Sequence, residues 1–239
     1  RGVDAVLVAP GRIDRFREDT ALQDYILESG ARILAANNVV DTDRNVIEGS
    51  PSLKEVSIED LLPRDEIRVD LESVAESLRG RRVLITGSAG SIGSEIVRQV
   101  ASFGPSSLML IDSAETPQHE IRLMMAKDYP GVPCSTVVTS IAKRDRMESI
   151  FRSFRPEYVF HAAAYKHVPM MEDNPCESVQ NNVWGTKVLA DLSVECGVSR
   201  FVMVSTDKAV NPTNVMGCSK RICEIYVQSL NKAERDGAV

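Results

Sequence analysis

Glycine falls at positions 87, 90 and 93 in the run VLITGSAGSIG, and a carboxylate, Asp112, closes the next apolar run, LMLI. That set of residues could hold a dinucleotide. Gly87 permits a tight turn after a short strand, Gly90 lets backbone approach a pyrophosphate, and Gly93 lets the next helix pack close to the sheet. The helix N-terminus offers free N–H groups and a positive dipole end to an anion. The spacing is G-x-x-G-x-x-G and not the commoner G-x-G-x-x-G, so for the glycines by themselves a purely structural turn is the lesser but open reading. Asp112 sits where a carboxylate meets a ribose hydroxyl and repels a 2′-phosphate, which favours NAD over NADP.

A second group lies in STDKAVNPTNVMGCSK, residues 205–220. Ser205, Thr206, Asp207 and Lys208 leave the carboxyl end of an expected strand, where ligands bind in open α/β sheets. Met216 and Lys220 stand four apart and share one helix face. Taken alone, Met216 would fill core, Lys220 would sit on the surface, and Asp207 and Lys208 would neutralise each other in solvent. Downstream of a nucleotide loop, the same residues become a candidate reaction centre.

These groups need a scaffold, and the apolar pattern supplies one. Strands are expected at 83–86, 107–111, 134–138, 158–162 and 200–205, and helices at 92–102, 117–128, 143–154, 175–196 and 214–235. Asn174 and Pro175, with Glu177, read as a helix start, and Gly197 as its end. Regular βα alternation means a parallel sheet with helices on both faces, a Rossmann-type doubly wound fold. Before it, 3–9 and 32–36 read as strands. Between them 14–29 reads as a helix with Leu22, Tyr25 and Ile26 on one face and Gly30 as its cap. The expected organisation is therefore a partial α/β segment at 1–52, a connector at 53–80 and the Rossmann domain at 81–239. No strand follows the last helix, so the sheet is expected to be cut short at its carboxyl end.

Composition bounds the function. The 239 residues are 43% hydrophobic with a net charge of −6, which gives no basic footprint for nucleic acid. Arg79, Arg81 and Arg82 flank Gly80 as a solvated linker edge. Five cysteines without C-x-x-C or metal-ligand spacing imply reduced thiols, no metal and a cytoplasmic setting. No run approaches the roughly 18 apolar residues that a membrane span needs.

From about residue 81 onward the sequence resembles the extended short-chain dehydrogenase/reductase superfamily. Within it, the chain is similar to CapD-like polysaccharide biosynthesis proteins, the UDP-N-acetylglucosamine 4,6-dehydratases of bacterial capsule, lipopolysaccharide and glycoprotein-sugar synthesis. The stretches that carry the resemblance are ITGSAGSIGSE, DSAET, HAAAYKHVPMMEDNP, NNVWGT and FVMVSTDKAVNPTNVMGCSKR. It implies a resident NAD that takes a hydride from carbon 4 of the sugar and returns it to carbon 6, with water lost across carbons 5 and 6 in between. It assigns Asp207 as the acid for the leaving hydroxyl, Lys208 as the base for the carbon-5 proton, and Thr206 as a partner of the sugar's 4-hydroxyl region. In the superfamily the Met216–Lys220 pair is usually Tyr and Lys, the lysine lowering the phenol pKa. Met216 has no proton to give, and large members of the subfamily share that methionine.

The resemblance places Gly87, Ser88, Ala89, Gly90, Ser91, Ile92, Gly93, Asp112, Ser113, Ser140, Ile141 and Lys220 around the cofactor. It adds His161, Ala162, Ala163 and Ala164 along its length, with Lys166 beside it and Asn182 on a helix facing the site, although a surface Asn is an equal reading of Asn182. Ser140 stands where the family has an Asp that contacts adenine. His167 is given no acid–base role. The first segment resembles the end of a nucleotide-binding-like domain that larger members carry, and a membrane-anchored parent would work at the cytoplasmic face of the inner membrane. Without a sugar-binding lobe, this stretch is expected to turn over poorly alone. Expected partners are a UDP-sugar and further copies of the chain. Two competing readings are a UDP-sugar 4-epimerase, which needs no elimination pair, and a non-catalytic NAD-binding or oligomerisation module.

Overall fold

The computed structural model describes residues 4–9, 12, 15–16, 19, 22, 25–26, 32–36, 53–55 and 70–235. Two compact units divide the chain, Arg1–Val69 and Asp70–Val239. In the first, β1 (Ala5–Val8) runs parallel to β2 (Arg32–Ala36), and β3 (Leu53–Glu55) pairs antiparallel with β2. Val8, Phe16, Ile26 and Ile33 are buried together. Of the expected helical face only Ile26 is buried; Tyr25 is 71% exposed and Leu22 44%. Phe16, which the pattern did not place on that face, is buried beside Ile26. Most of the expected helix at 14–29, its Gly30 cap and the polar stretch at 37–52 lie outside the described residues. The stretch expected as a connector, 53–80, holds β3 at one end and helix α1 (Leu71–Leu78) at the other. α1 starts where the Asp70 side chain accepts the Ser73 N–H at 3.1 Å.

The second unit is a five-stranded parallel sheet. Its strands are β4 (Arg82–Thr86), β5 (Ser107–Asp112), β6 (Cys134–Val138), β7 (Tyr158–His161) and β8 (Arg200–Met203), in spatial order β6-β5-β4-β7-β8. All pairings are parallel. Strand order reverses between β4 and β7, which opens a crevice at their carboxyl ends. Helices α2 (Ser91–Ser102), α3 (Glu115–Asp128) and α4 (Arg144–Phe154) follow β4, β5 and β6.

Strands buried on both faces read as continuous apolar runs, and side-chain alternation sends neighbours to opposite layers. Val83 and Ile85 of β4, with Leu108 and Leu110 of β5, pack against Val97 and Val100 of α2 and Ile121 and Met125 of α3. Leu84, Ile111 and Val159 face the other way, toward Met147, Ile150 and Phe151 of α4 and Val188, Leu189 and Leu192 farther along the chain. Each fully buried aliphatic side chain contributes roughly 1.5–3 kcal/mol, so these two layers fix the sheet that presents the loops.

After β7 the structure departs from expectation. The single helix expected at 175–196 is preceded by a short α5 (Val168–Asp173) and is itself composite: α6 (Pro175–Ser178), a π-helical segment Val179–Trp184, and α7 (Gly185–Glu195). The Cys223 thiol donates to the Asn182 carbonyl at 3.1 Å, giving a tertiary partner to a carbonyl in the widened turn. Asn174 does not cap α6 with its side chain; its amide donates to the Met170 carbonyl at 2.9 Å instead. Gly197, at φ +68°, closes α7 in the left-handed conformation that glycine adopts freely. The last helix, α8 (Val215–Arg235), follows a 3-10 turn at Asp207–Ala209.

Candidate active site

The glycine loop leaves β4 at the sheet's carboxyl edge, and its three glycines do different work. Gly87 has φ +68°, and a Cβ there would lie 2.5 Å from the Ala163 nitrogen. A Cβ on Gly93 would lie 1.8 Å from the Gly87 carbonyl oxygen. Both are therefore required by the protein's own packing. Gly90 differs: its Cβ would meet nothing closer than that same oxygen at 3.4 Å, an ordinary contact, and its φ is −73°. The protein's own packing therefore does not require glycine there. No side chain caps α2, which begins at Ser91, so the helix's first N–H groups are open to an anion.

Asp112 anchors this loop. Its Oδ2 accepts the Ala89 N–H at 3.0 Å and its Oδ1 accepts the Ala114 N–H at 2.9 Å. A carboxylate has further lone pairs, so it can still accept a ribose hydroxyl. The loop-holding role was not legible in sequence.

A cleft of about 360 Å³ opens here, lined by Gly87, Ala89, Gly90, Asp112, Ser113, Ser140, Ile141 and Ala162–Ala164, all expected cofactor contacts. Pro117, Thr139, Tyr165 and Asn181 also line it and were not foreseen. Ser140 Oγ accepts the Ala142 N–H at 3.2 Å, so the cleft wall carries a neutral hydroxyl there. An uncapped helix N-terminus, a close-approach glycine, small alanines and a carboxylate together fit a dinucleotide. Among the described residues no cluster of His, Cys, Asp and Glu could hold a metal ion.

Several expected contacts lie elsewhere. Ser88 is buried and donates to Gln118 Oε1 at 2.8 Å, on the α3 side of the loop. Ile92 stands 57% exposed at the start of α2, and Lys166 is exposed beside a different depression formed with His167, Met170 and Asn174. His161, expected along the cofactor, is instead wholly buried. Its Nδ1 pairs with Thr86 Oγ1 at 2.8 Å and its Nε2 with Thr186 Oγ1 at 2.9 Å, tying β4 and β7 to α7. Asn182 is neither at the cleft nor on the surface. Its side chain accepts the Tyr165 N–H at 2.8 Å and donates to the Tyr165 carbonyl and to Ser219 Oγ, both at 3.0 Å. It thereby joins the cleft wall to α8. The alternation of β7 sends His161 inward, and the π-helical turn carries Asn182 inward while Asn181 faces the cleft.

Burial, and then the positive charge of Lys220, push the His161 ring down to about 3. The unfolded chain takes up a proton near pH 6.5 that the native ring refuses. Stability is therefore full above that pH and declines as pH falls from 6.5 toward 3, by about 5 kcal/mol in all. Urea unfolding at pH 7 and pH 5 should differ by about 2 kcal/mol from this ring alone. His161→Asn should be less stable at pH 7 yet lose less on acidification; parallel losses in the two proteins would remove His161 as the cause.

The second group forms at the end of β8. Thr206 caps the 3-10 turn, its Oγ1 accepting the Lys208 N–H at 3.4 Å and donating to Asp207 Oδ1 at 2.9 Å. Lys208 Nζ lies 3.4 Å from the same carboxylate oxygen, with side-chain exposures of 86% for Asp207 and 50% for Lys208. The Thr206 hydroxyl, then Lys208, hold the Asp207 carboxyl below its ordinary range. Met216 is buried, and Lys220 is buried with Nζ donating to the Val204 carbonyl at 2.8 Å; burial lowers its pKa. Lys220 is thus no surface lysine, and it does not line the cleft.

Residues 83–238 match the family described as polysaccharide biosynthesis protein. The chain is 42% identical over 204 residues to the capsular polysaccharide biosynthesis protein CapD of Staphylococcus aureus, covering 85% of this chain and 34% of that one. It is 32% identical over 142 residues to a UDP-N-acetylglucosamine 4,6-dehydratase (inverting) of Campylobacter jejuni, 59% of this chain and 40% of the relative. A UDP-glucose 4-epimerase of Thermus thermophilus, solved as a complex with NAD, superposes with a TM-score of 0.56 at 27% identity, covering 64% of this chain and 51% of that one. The chain therefore spans about a third of CapD's length and two fifths of the dehydratase's.

Proposed function

The chain belongs to the polysaccharide biosynthesis protein family, as a CapD-like member of the extended short-chain dehydrogenases/reductases, and from that premise we propose that it carries the NAD site and elimination pair of a UDP-N-acetylglucosamine 4,6-dehydratase. The observation that carries the reading is the Asp207–Lys208 pair on the turn after β8, at the same sheet edge as the glycine cleft. An epimerase needs no such pair, because it moves a hydride and the 4-hydroxyl proton and eliminates no water.

NAD, when bound, supplies reversible hydride acceptance, so that carbon 4 is oxidised and carbon 6 later reduced with no net consumption. The α2 N-terminus holds the pyrophosphate, Asp112 accepts from the adenosine ribose, and Ala162–Ala164 leave room along the cleft. Thr206 Oγ1 meets the sugar's 4-hydroxyl, whose proton is lost to solvent as carbon 4 is oxidised. Once carbon 4 is a ketone, the carbon-5 proton is acidic; Lys208 accepts it as the carbon-6 hydroxyl departs with a proton from Asp207, leaving as water, and Lys208 returns a proton to carbon 5 when carbon 6 is reduced. Lys208 must be neutral to accept a proton. Asp207 must be protonated to donate one, and in the free protein Thr206 and Lys208 hold its carboxyl the other way. Exclusion of water by the docked sugar is what would raise it.

Among the described residues no helix is long and apolar enough to cross a membrane. Five free cysteines accord with a cytoplasmic setting, and Val179 and Trp184, about half exposed on the 175–196 faces, accord with association between copies. The test is incubation of the full-length protein with UDP-N-acetylglucosamine, with mass spectrometry and NMR of the sugar. A 4-keto-6-deoxy product is expected. Only the galacto epimer would make it an epimerase, and unchanged sugar with NAD bound would leave a binding module.

A further inference from the structure

We propose that Gly217, on the first turn of α8, is the positioning residue that sets where Asp207 and Lys208 stand; the inference deepens the dehydratase reading and rests on it. Asp207 is largely in solvent and Lys208 half exposed, and among the described residues their side chains hydrogen-bond or ion-pair only with each other and Thr206, so no outside polar partner fixes their place. Their position is inherited from backbone. The turn that carries them is a compact unit: Ala209 N–H donates to the Thr206 carbonyl at 3.1 Å, Val210 N–H to the Asp207 carbonyl at 3.0 Å, and the Ala209 methyl is buried.

That unit lies against α8, and at Gly217 the two backbones come close. A Cβ on Gly217 would stand 2.3 Å from the Lys208 carbonyl oxygen, 3.1 Å from its carbon and 3.2 Å from Pro212 Cβ. The oxygen belongs to the base residue itself, so the closeness of that contact sets how near the pair lies to the helix of Met216 and Lys220. The helix is the side that does not yield. Asn214 Oδ1 accepts the Gly217 N–H at 2.8 Å, Glu172 Oε1 reaches across from α5 to accept the Val215 N–H at 2.7 Å, and Met216 and Ser219 are buried. A methyl group at 217 therefore lifts the 207–209 turn by about 1 Å, enough to separate carbon and oxygen to ordinary contact. Reacting groups misplaced by about 1 Å lose on the order of a hundredfold in rate. Alanine is also the better helix former at 217, which offsets part of the strain and keeps the variant folded.

The effect should fall mainly on elimination, because hydride transfer depends on the cleft wall at Gly87 and Ala162–Ala164, which follows β4 and β7, and on Thr206, which precedes the lifted 207–209 turn. Full-length wild type, Gly217→Ala and the exposed neighbour Cys218→Ala are given UDP-N-acetylglucosamine in deuterated water. Gly217→Ala should form reduced nicotinamide on sugar addition within about twofold of wild type, while deuterium uptake at carbon 5 and keto product fall about a hundredfold. Cys218→Ala should match wild type in both. Equal loss of both steps in Gly217→Ala, or loss of neither, overturns the proposal. If Gly217→Ala does not fold, Ala209→Gly, which removes the buried methyl under the same turn, should show the same split, and an equal loss there counts against it. A wild type that makes no keto product refutes the dehydratase reading alone. Positioning is then decided by backbone amide NMR: shifts at 207–209 with Ala162–Ala164 unmoved uphold it, and unmoved 207–209 amides overturn it.

Discussion

Lys208→Ala should reduce formation of the 4-keto-6-deoxy sugar by about 10²- to 10⁴-fold, the range for losing a positioned proton acceptor, while NAD binding and thermal stability stay near wild type. The stability half of that expectation follows from geometry. The lysine is half exposed, and its 3.4 Å ion pair with Asp207 is of the surface kind that contributes little. The activity half follows from the proposed role. The two halves separate the competing accounts of these residues: a solvated, self-neutralising pair predicts that neither stability nor product changes. Sugar oxidation before elimination adds a second discrimination, since a variant lacking only the base should still form reduced nicotinamide on sugar addition. Full product formation by Lys208→Ala would sink the base assignment and leave the NAD cleft standing.

The scaffold was legible because it rests on local pattern. β4 to β8 are apolar runs bounded by turn residues, and each appears within one or two residues of its expected span, since strands buried on both faces permit few alternatives. The cleft was legible for a related reason: glycines with positive φ or with close backbone neighbours leave a mark in sequence. What escaped depends on residues far apart in the chain. The π-helical turn at 179–184 is bound up with a thiol at 223 and a hydroxyl at 219, and Asn182 faces inward because both lie beneath it. His161 follows a strand whose alternation could be counted, yet only the threonines at 86 and 186 make a buried imidazole affordable there. Short helix α5 escaped because Val168–Asp173 is too brief to show a period. Tyr165 and Asn181 escaped as cleft residues because their placement follows from that same inward turn of Asn182.

The three loop glycines give the other large expectation, as a contrast between neighbours. Gly93→Ala places a methyl 1.8 Å from the Gly87 carbonyl oxygen and 2.7 Å from its carbon. Neither partner is a flexible side-chain end, so α2 and the loop must move apart. The expected cost is about 3–4 kcal/mol or more in urea unfolding, with loss of measurable NAD binding, since the helix N-terminus no longer faces the cleft. Gly90→Ala meets only an ordinary 3.4 Å contact at a φ any residue adopts. As the cap of α2 it should change stability by about 1 kcal/mol or less. Calorimetric titration should nevertheless find NAD bound some ten- to hundredfold more weakly, because the methyl stands in the path of the pyrophosphate. Thus Gly93 should fail through the fold and Gly90 through the ligand. If Gly90→Ala binds NAD as wild type does, the phosphates do not approach the loop there, and the cleft's orientation toward α2 has to be redrawn. If Gly93→Ala is as stable as wild type, the close contact at the Gly87 carbonyl does not hold the helix against the sheet.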